Sequence, residues 1–180
     1  MRHEAHLVKS RKERIMLLEM KVFGLAMDPY TNAPVVILKD AEEKNVLPVW
    51  IGALEASAIA SELEHVHFSR PMTHDLIKDI LRNVSANVTR IEVIDLKDNI
   101  FYATIHMVTQ NGALRVDARP SDAIAIALRT SSPIFVDMDV LEKSKRVDMR
   151  GGTASKDETA PDAAKELDKL GPEEFGKYKM

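Results

Sequence analysis

Two segments of the chain repeat one construction. Arg70-Pro71-Met72-Thr73-His74-Asp75 and Arg119-Pro120-Ser121-Asp122 each place Arg-Pro ahead of a hydroxyl residue and an Asp. Such a pattern opens a helix: Pro fixes the entry, Thr73 or Ser121 serves as the cap, and Asp75 or Asp122 complements the positive end of the helix dipole. Capping leaves the arginines unexplained. A guanidinium beside unpaired helix N–H groups is a natural phosphate site, which makes Arg70 and Arg119, with Thr73 and Ser121, candidate phosphate-binding residues.

Acidic residues cluster around the same places. Asp117 precedes Arg119 by two residues, and Glu55 stands in the first turn of the helix expected after Trp50-Ile51-Gly52. If Glu55, Asp75, Asp117 and Asp122 converge, they form a hard oxygen-ligand set for Mg2+ or Mn2+, with Asp117 and Asp122 as the metal ligands, and phosphodiester hydrolysis commonly uses such a cation. The alternative is a set of ion pairs, with Glu55 or Asp117 held by Arg119 or Arg70 and positioning the helices. His74, between Thr73 and Asp75, is the candidate general acid or base, because histidine gains and loses its proton near neutral pH. His106 alternates with Ile105 and Met107 and reads as a solvent-face strand residue.

These residues must be held by ordered elements, which hydrophobic periodicity outlines. Glu19–Met27, Pro34–Lys39 and Val46–Ile51 are short apolar runs separated by polar turns, with Pro48 placing the third at a sheet edge. An alanine-rich helix follows from Ala53, and a second from Thr73 carries Leu76, Ile77, Ile80, Leu81 and Val84 on one face. Runs at 88–96, 100–109 and 113–118 are joined by Lys97-Asp98-Asn99 and Gln110-Asn111-Gly112, which are hairpin signals. A helix over 122–129, a strand over 133–136 and a short helical piece around 140–143 complete the order βββααβββαβα. Predominant hairpins predict an α+β fold with a largely antiparallel or mixed sheet and helices packed against it.

Residues 1–15 read as a disordered leader, 16–145 as the folded domain, and 146–180 as a linker with a C-terminal helical tail between Pro161 and Gly171. Across 180 residues the formal charge is -3, and the stretch 21–143 holds 12 basic against 17 acidic residues. An acidic body argues against a broad polyanion-binding stripe, so any phosphate contact must be local. There is no cysteine, hence no disulfide, iron–sulfur cluster or thiol nucleophile. No apolar run reaches the roughly 18 residues of a membrane helix, and no secretory signal is present, so the expectation is a cytoplasmic protein without a membrane partner. Phosphate-loop, dinucleotide, zincin and nucleophile-elbow signatures are all missing.

The motifs in order, Leu47-Pro48-Val49-Trp50-Ile51-Gly52 with Glu55-Ala56-Ser57-Ala58-Ile59-Ala60, then Arg70 to Leu76, Phe101-Tyr102-Ala103, and Asp117 to Ala125, resemble the bifunctional nuclease domain family. The resemblance runs from about Met20 to Leu141, and Pro172 to Tyr178 is similar to a tail of some bacterial members. It implies an α+β fold, a homo-oligomer such as a dimer, and DNase plus RNase activity as attributed to plant relatives. The matched motif positions are Glu55, Arg70, Thr73, His74, Asp75, Asp117, Arg119, Ser121 and Asp122. One departure is Glu64-His65-Val66-His67, where many relatives carry a Gly. The expectation is therefore a metal-assisted nuclease acting on single-stranded or flexible DNA and RNA. The alternative is a non-catalytic binding or regulatory module with an Arg-lined anion pocket.

Overall fold

Short polar turns between β-prone runs force consecutive strands to pair. In the computed structural model, which describes residues 16–151, they produce two three-stranded antiparallel meanders. The first comprises β1 (Leu17–Met27), β2 (Pro34–Asp40) and β3 (Val46–Trp50); the second comprises β4 (Asn87–Lys97), β5 (Ile100–Thr109) and β6 (Gly112–Ala118). Asp98 and Asn99 form the β4–β5 loop with φ of 49° and 61°, the left-handed pair that matches the twist of a tight hairpin. Gly112 opens β6 at φ 115°, a conformation that favours a residue without Cβ.

Between the meanders lie α1 (Ala53–Leu63) and α2 (Thr73–Asn83), and after them α3 (Pro120–Thr130), β7 (Ile134–Asp137) and α4 (Met138–Gly151). The order is the expected βββααβββαβα. Strand β7 inserts between β1 and β4, antiparallel to the first and parallel to the second, giving one seven-stranded mixed sheet in the order β3-β2-β1-β7-β4-β5-β6. The edges are β3, where Pro48 costs no ladder bond on the open side, and β6.

One hydrophobic core joins the sheet to the helices. Val36, Leu38, Ile91, Val93, Ala103 and Ile105 bury against Ile59 of α1, Ala123, Ile124 and Ala127 of α3, and Val140 and Leu141 of α4. Helix α3 lies centrally over β4 and β5, with α1 on its β1–β2 side and α2 packed against it. Its alanines let the neighbouring helices approach closely. Helix α2 sends only Ile77 and Leu81 toward the core and leaves Leu76, Ile80 and Val84 exposed.

Helix α4 is longer than the short piece the sequence suggests, and its last turn takes in Arg150 and Gly151, which read as linker. Lys143 ties it to the sheet through a 2.6 Å bond to Asp95. That bond, with a second from Lys97, holds the Asp95 carboxyl down at about 2. The leader over 1–15 and the tail helix expected between Pro161 and Gly171 lie outside the described residues.

Candidate active site

Each of α1, α2 and α3 carries a carboxylate at the third helical position: Glu55, Asp75 and Asp122. That position suits an anion, because the first-turn N–H groups are unpaired and the dipole is positive there. Arginines at the two ends of α3 then join these helix starts together.

The first junction is open. Arg119, the residue that enters α3, donates from Nε to Asp122 Oδ2 at 2.8 Å and from Nη2 to Asp122 Oδ1 at 3.2 Å, a forked pairing. Its Nη1 donates to Glu55 Oε1 at 2.8 Å across to α1. Asp122 Oδ1 also lies 3.2 Å from His74 Nε2 on α2. Three helix starts are thus connected in one chain, Glu55–Arg119–Asp122–His74. From Arg119 onward exposure falls, from 66% of its side chain to 11% of His74. Burial pushes the Asp122 carboxyl up, but the Arg119 and His74 hydrogen bonds outweigh it and leave the group below its ordinary value. Hydrogen bonding to Asp122, and then to Glu55, raises Arg119 above its own ordinary value, so it stays cationic. Arg119 uses three of the five guanidinium N–H donors in these bonds, and its exposure leaves the others open to a ligand.

Gly52 makes room for this arrangement. A Cβ built there would collide with the Glu55 carboxylate, which folds back over the Gly52 backbone. The φ of -77° is one any residue adopts, so the requirement is for space alone.

The second junction is closed. Arg129, in the last turn of α3 and 2% exposed in its side chain, donates from Nε to Asp75 Oδ1 at 2.6 Å. Nη1 donates to the Ala58 and Ala125 carbonyls, and Nη2 to Ser61 Oγ. Asp75 also accepts from the Met72 N–H at 3.0 Å, which makes it the cap of its own helix. Burial raises the Asp75 carboxyl, and the Arg129 and Met72 hydrogen bonds bring it below its ordinary value.

The structure therefore brings Glu55, His74, Arg119 and Asp122 together, sets Asp75 beside Arg129, and distributes the other expected residues differently. Thr73 and Ser121 are not the caps the sequence suggests. Met72 and Arg119 occupy the cap positions, neither helix has a capping hydroxyl, and Ser121 is buried as the second residue of α3. Arg70 is exposed in the loop before α2 and forms no ion pair among the described residues. Asp117 lies opposite Thr104, on the face of the sheet away from the helices, so it does not meet Asp122. Among the described residues no group of three or more His, Asp or Glu side chains is arranged to hold a metal ion. Both Asp122 oxygens are already engaged, and this donor set does not fit a cation shared by Asp117 and Asp122.

Two departures from the sequence reading concern buried charge. Arg129 passes unnoticed beside the apolar run Ala123–Leu128; a charge in such a run has to find partners, and that was the available signal. His106 points away from the helices as expected but is buried, 2.9 Å from Glu92 Oε2.

No helix among the described residues is long and apolar enough to cross a membrane. A sequence model of the bifunctional nuclease domain matches residues 36–148, a span that includes both arginine junctions. An uncharacterized protein of Mycobacterium tuberculosis is 35% identical over 162 residues, covering 87% of this chain and 97% of its own. Bifunctional nuclease 1 of Arabidopsis thaliana is 24% identical over 117 residues, covering 63% of this chain and 36% of the plant protein. Bifunctional nuclease 1 of Oryza sativa subsp. japonica is 21% identical over 108 residues, covering 58% and 32% respectively. With the matched span covering more than half of its residues, the chain belongs to the bifunctional nuclease domain family.

Proposed function

We propose that the protein is a cytoplasmic nuclease that hydrolyses phosphodiester bonds in single-stranded or flexible DNA and RNA at the Glu55–Arg119–Asp122–His74 chain. The observation that carries this reading is the exposed Arg119, fixed at a helix start with donors to spare and linked through Asp122 to a histidine. An oriented cation with a positive helix end behind it suits the charge that develops on a phosphate under attack. The plant relatives named as nucleases support the same reaction class.

Each residue then has a role. Arg119 binds the scissile phosphate, with Arg70 as a second cation from the loop before α2. Glu55 fixes the Arg119 guanidinium. Asp122 accepts from His74 Nε2 and orients the ring, so that Nδ1 takes the proton of the attacking water. The water oxygen bonds to phosphorus, the bond to the leaving sugar oxygen breaks, and solvent protonates that oxygen. Positive charge comes from the arginines, and the acidic body confines nucleic-acid contact to this neighbourhood.

A second reading has its own observation. All three first-turn carboxylates are matched by arginines, as in an ion-pair clasp that holds helices and leaves one anion-binding cation at the surface. That module would bind a phosphate or carboxylate ligand without turning it over. Cleavage of labelled single-stranded DNA and RNA separates the two. The assay is run with magnesium, with manganese and with chelator, beside Arg119→Ala and Asp122→Asn. Cleavage lost in both variants supports the nuclease; absent cleavage with anion binding that Arg119→Ala abolishes supports the module.

A further inference from the structure

Strand β6 is an open edge of the sheet, seven residues long, without proline and exposed through nearly its whole length. Such an edge presents a row of unpaired backbone groups, and proteins ordinarily blunt it. Here the side chains alternate in a particular way. Leu114 and Val116 lie on the helix side, opposite Met107 and Ile105, and are 47% and 39% exposed. Arg115 and Asp117 lie on the other side, opposite His106 and Thr104, and neither forms an ion pair among the described residues. An unpaired cation and an unpaired anion two residues apart on an edge strand complement a reversed copy of themselves.

We propose that β6 pairs antiparallel with β6 of a second copy of this chain, about a two-fold axis through Val116. In that register Val116 faces the partner's Val116, Arg115 faces the partner's Asp117, and Asp117 faces the partner's Arg115. The two-fold is perpendicular to the sheet, so residues facing each other must share a side, and registers are available only in steps of two. The step one way sets Arg115 against the partner's Arg115. The step the other way sets Asp117 against the partner's Asp117. Like charges directly opposed across a strand pair are destabilising, so the register centred on Val116 is selected.

Helix α2 packs on α3, and its residues Leu76, Ile80 and Val84, four apart in sequence, are each more than half exposed. The same register brings Arg119 level with the partner's Ala113, so the candidate active sites stand at opposite ends of the seam.

The test uses the full chain and sedimentation or light scattering at tens of micromolar, with circular dichroism to confirm folding. Wild type is expected to be a dimer. Arg115→Asp and Asp117→Arg, each alone, are expected to be folded monomers, with dimerisation weakened at least tenfold. An equimolar mixture of the two variants is expected to dimerise, because each then meets the opposite charge. The chain has no cysteine, so Val116→Cys provides a further arm: oxidation should link two chains at that residue alone. A monomeric wild type, single variants that stay dimeric, or a mixture that stays monomeric would each overturn the proposal.

Discussion

Helix α3 presents an arginine at each end, each paired with a helix-start carboxylate, and the two do opposite work. Arg129 is buried, bound to Asp75, two carbonyls and Ser61, and has little left to offer a ligand. Arg119 is exposed, bound to Asp122 and Glu55, and keeps donors free. Burial turns the first ion pair into a fixture, since removing one member would strand a charge away from water. Exposure makes the second nearly neutral for stability, because solvent screens it, while keeping its cation available for chemistry.

Truncating each arginine should expose that difference. Arg129→Ala is expected to cost about 3–5 kcal/mol or prevent folding, whereas Arg119→Ala should leave stability nearly unchanged, both read from urea unfolding. Equal losses would erase the distinction. Gly52→Ala sharpens it at the open junction, since the new methyl must displace the Glu55 carboxylate while the backbone is untroubled. Stability should change little, while cleavage falls roughly tenfold as Arg119 loses its anchor. Unchanged cleavage would remove Glu55 from the site.

Acid titration provides the smallest effect. Asp75 and Asp122 are both held below the ordinary 3.8, so the stability each contributes is present above that pH and is lost as pH falls below it. Asp75→Asn should therefore be less stable than wild type at neutral pH, with the gap closing as the solution is acidified below about 3.8. For Asp122→Asn the same closing is expected from a smaller gap, because its arginine is screened by water. A gap that stays constant with pH would mean that the carboxylate charge is not what the arginines hold.

Most of the fold was legible in the sequence because local chemistry determines it. Asp98-Asn99 and Asn111-Gly112 fix tight loops, and such loops leave adjacent strands little choice but to pair. The position of β7 was not legible, since placing it between β1 and β4 depends on long-range packing that no turn encodes. The Arg-Pro segments announced two helix starts, and the proximity of Arg119 and Asp122 follows from three residues of helix. Their junction with Glu55 and His74 does not, because it depends on how three helices cross. Thr73 and Ser121 were misread as caps because a hydroxyl before an apolar run usually is one, whereas here Asp75 takes that work at α2. Asp117 looked like a site residue on proximity to Arg119 alone; the pleat of β6 turns it to the other face of the sheet.

The central claim is that the open junction is a nuclease site. Its most direct test is cleavage of single-stranded DNA and RNA by the purified full chain, with metal and with chelator, comparing wild type with Arg119→Ala and Asp122→Asn. The expected result is cleavage by wild type and a loss of about 10²–10³-fold in each variant, with folding retained. Cleavage at equal rates in all three proteins, or in none, would contradict it.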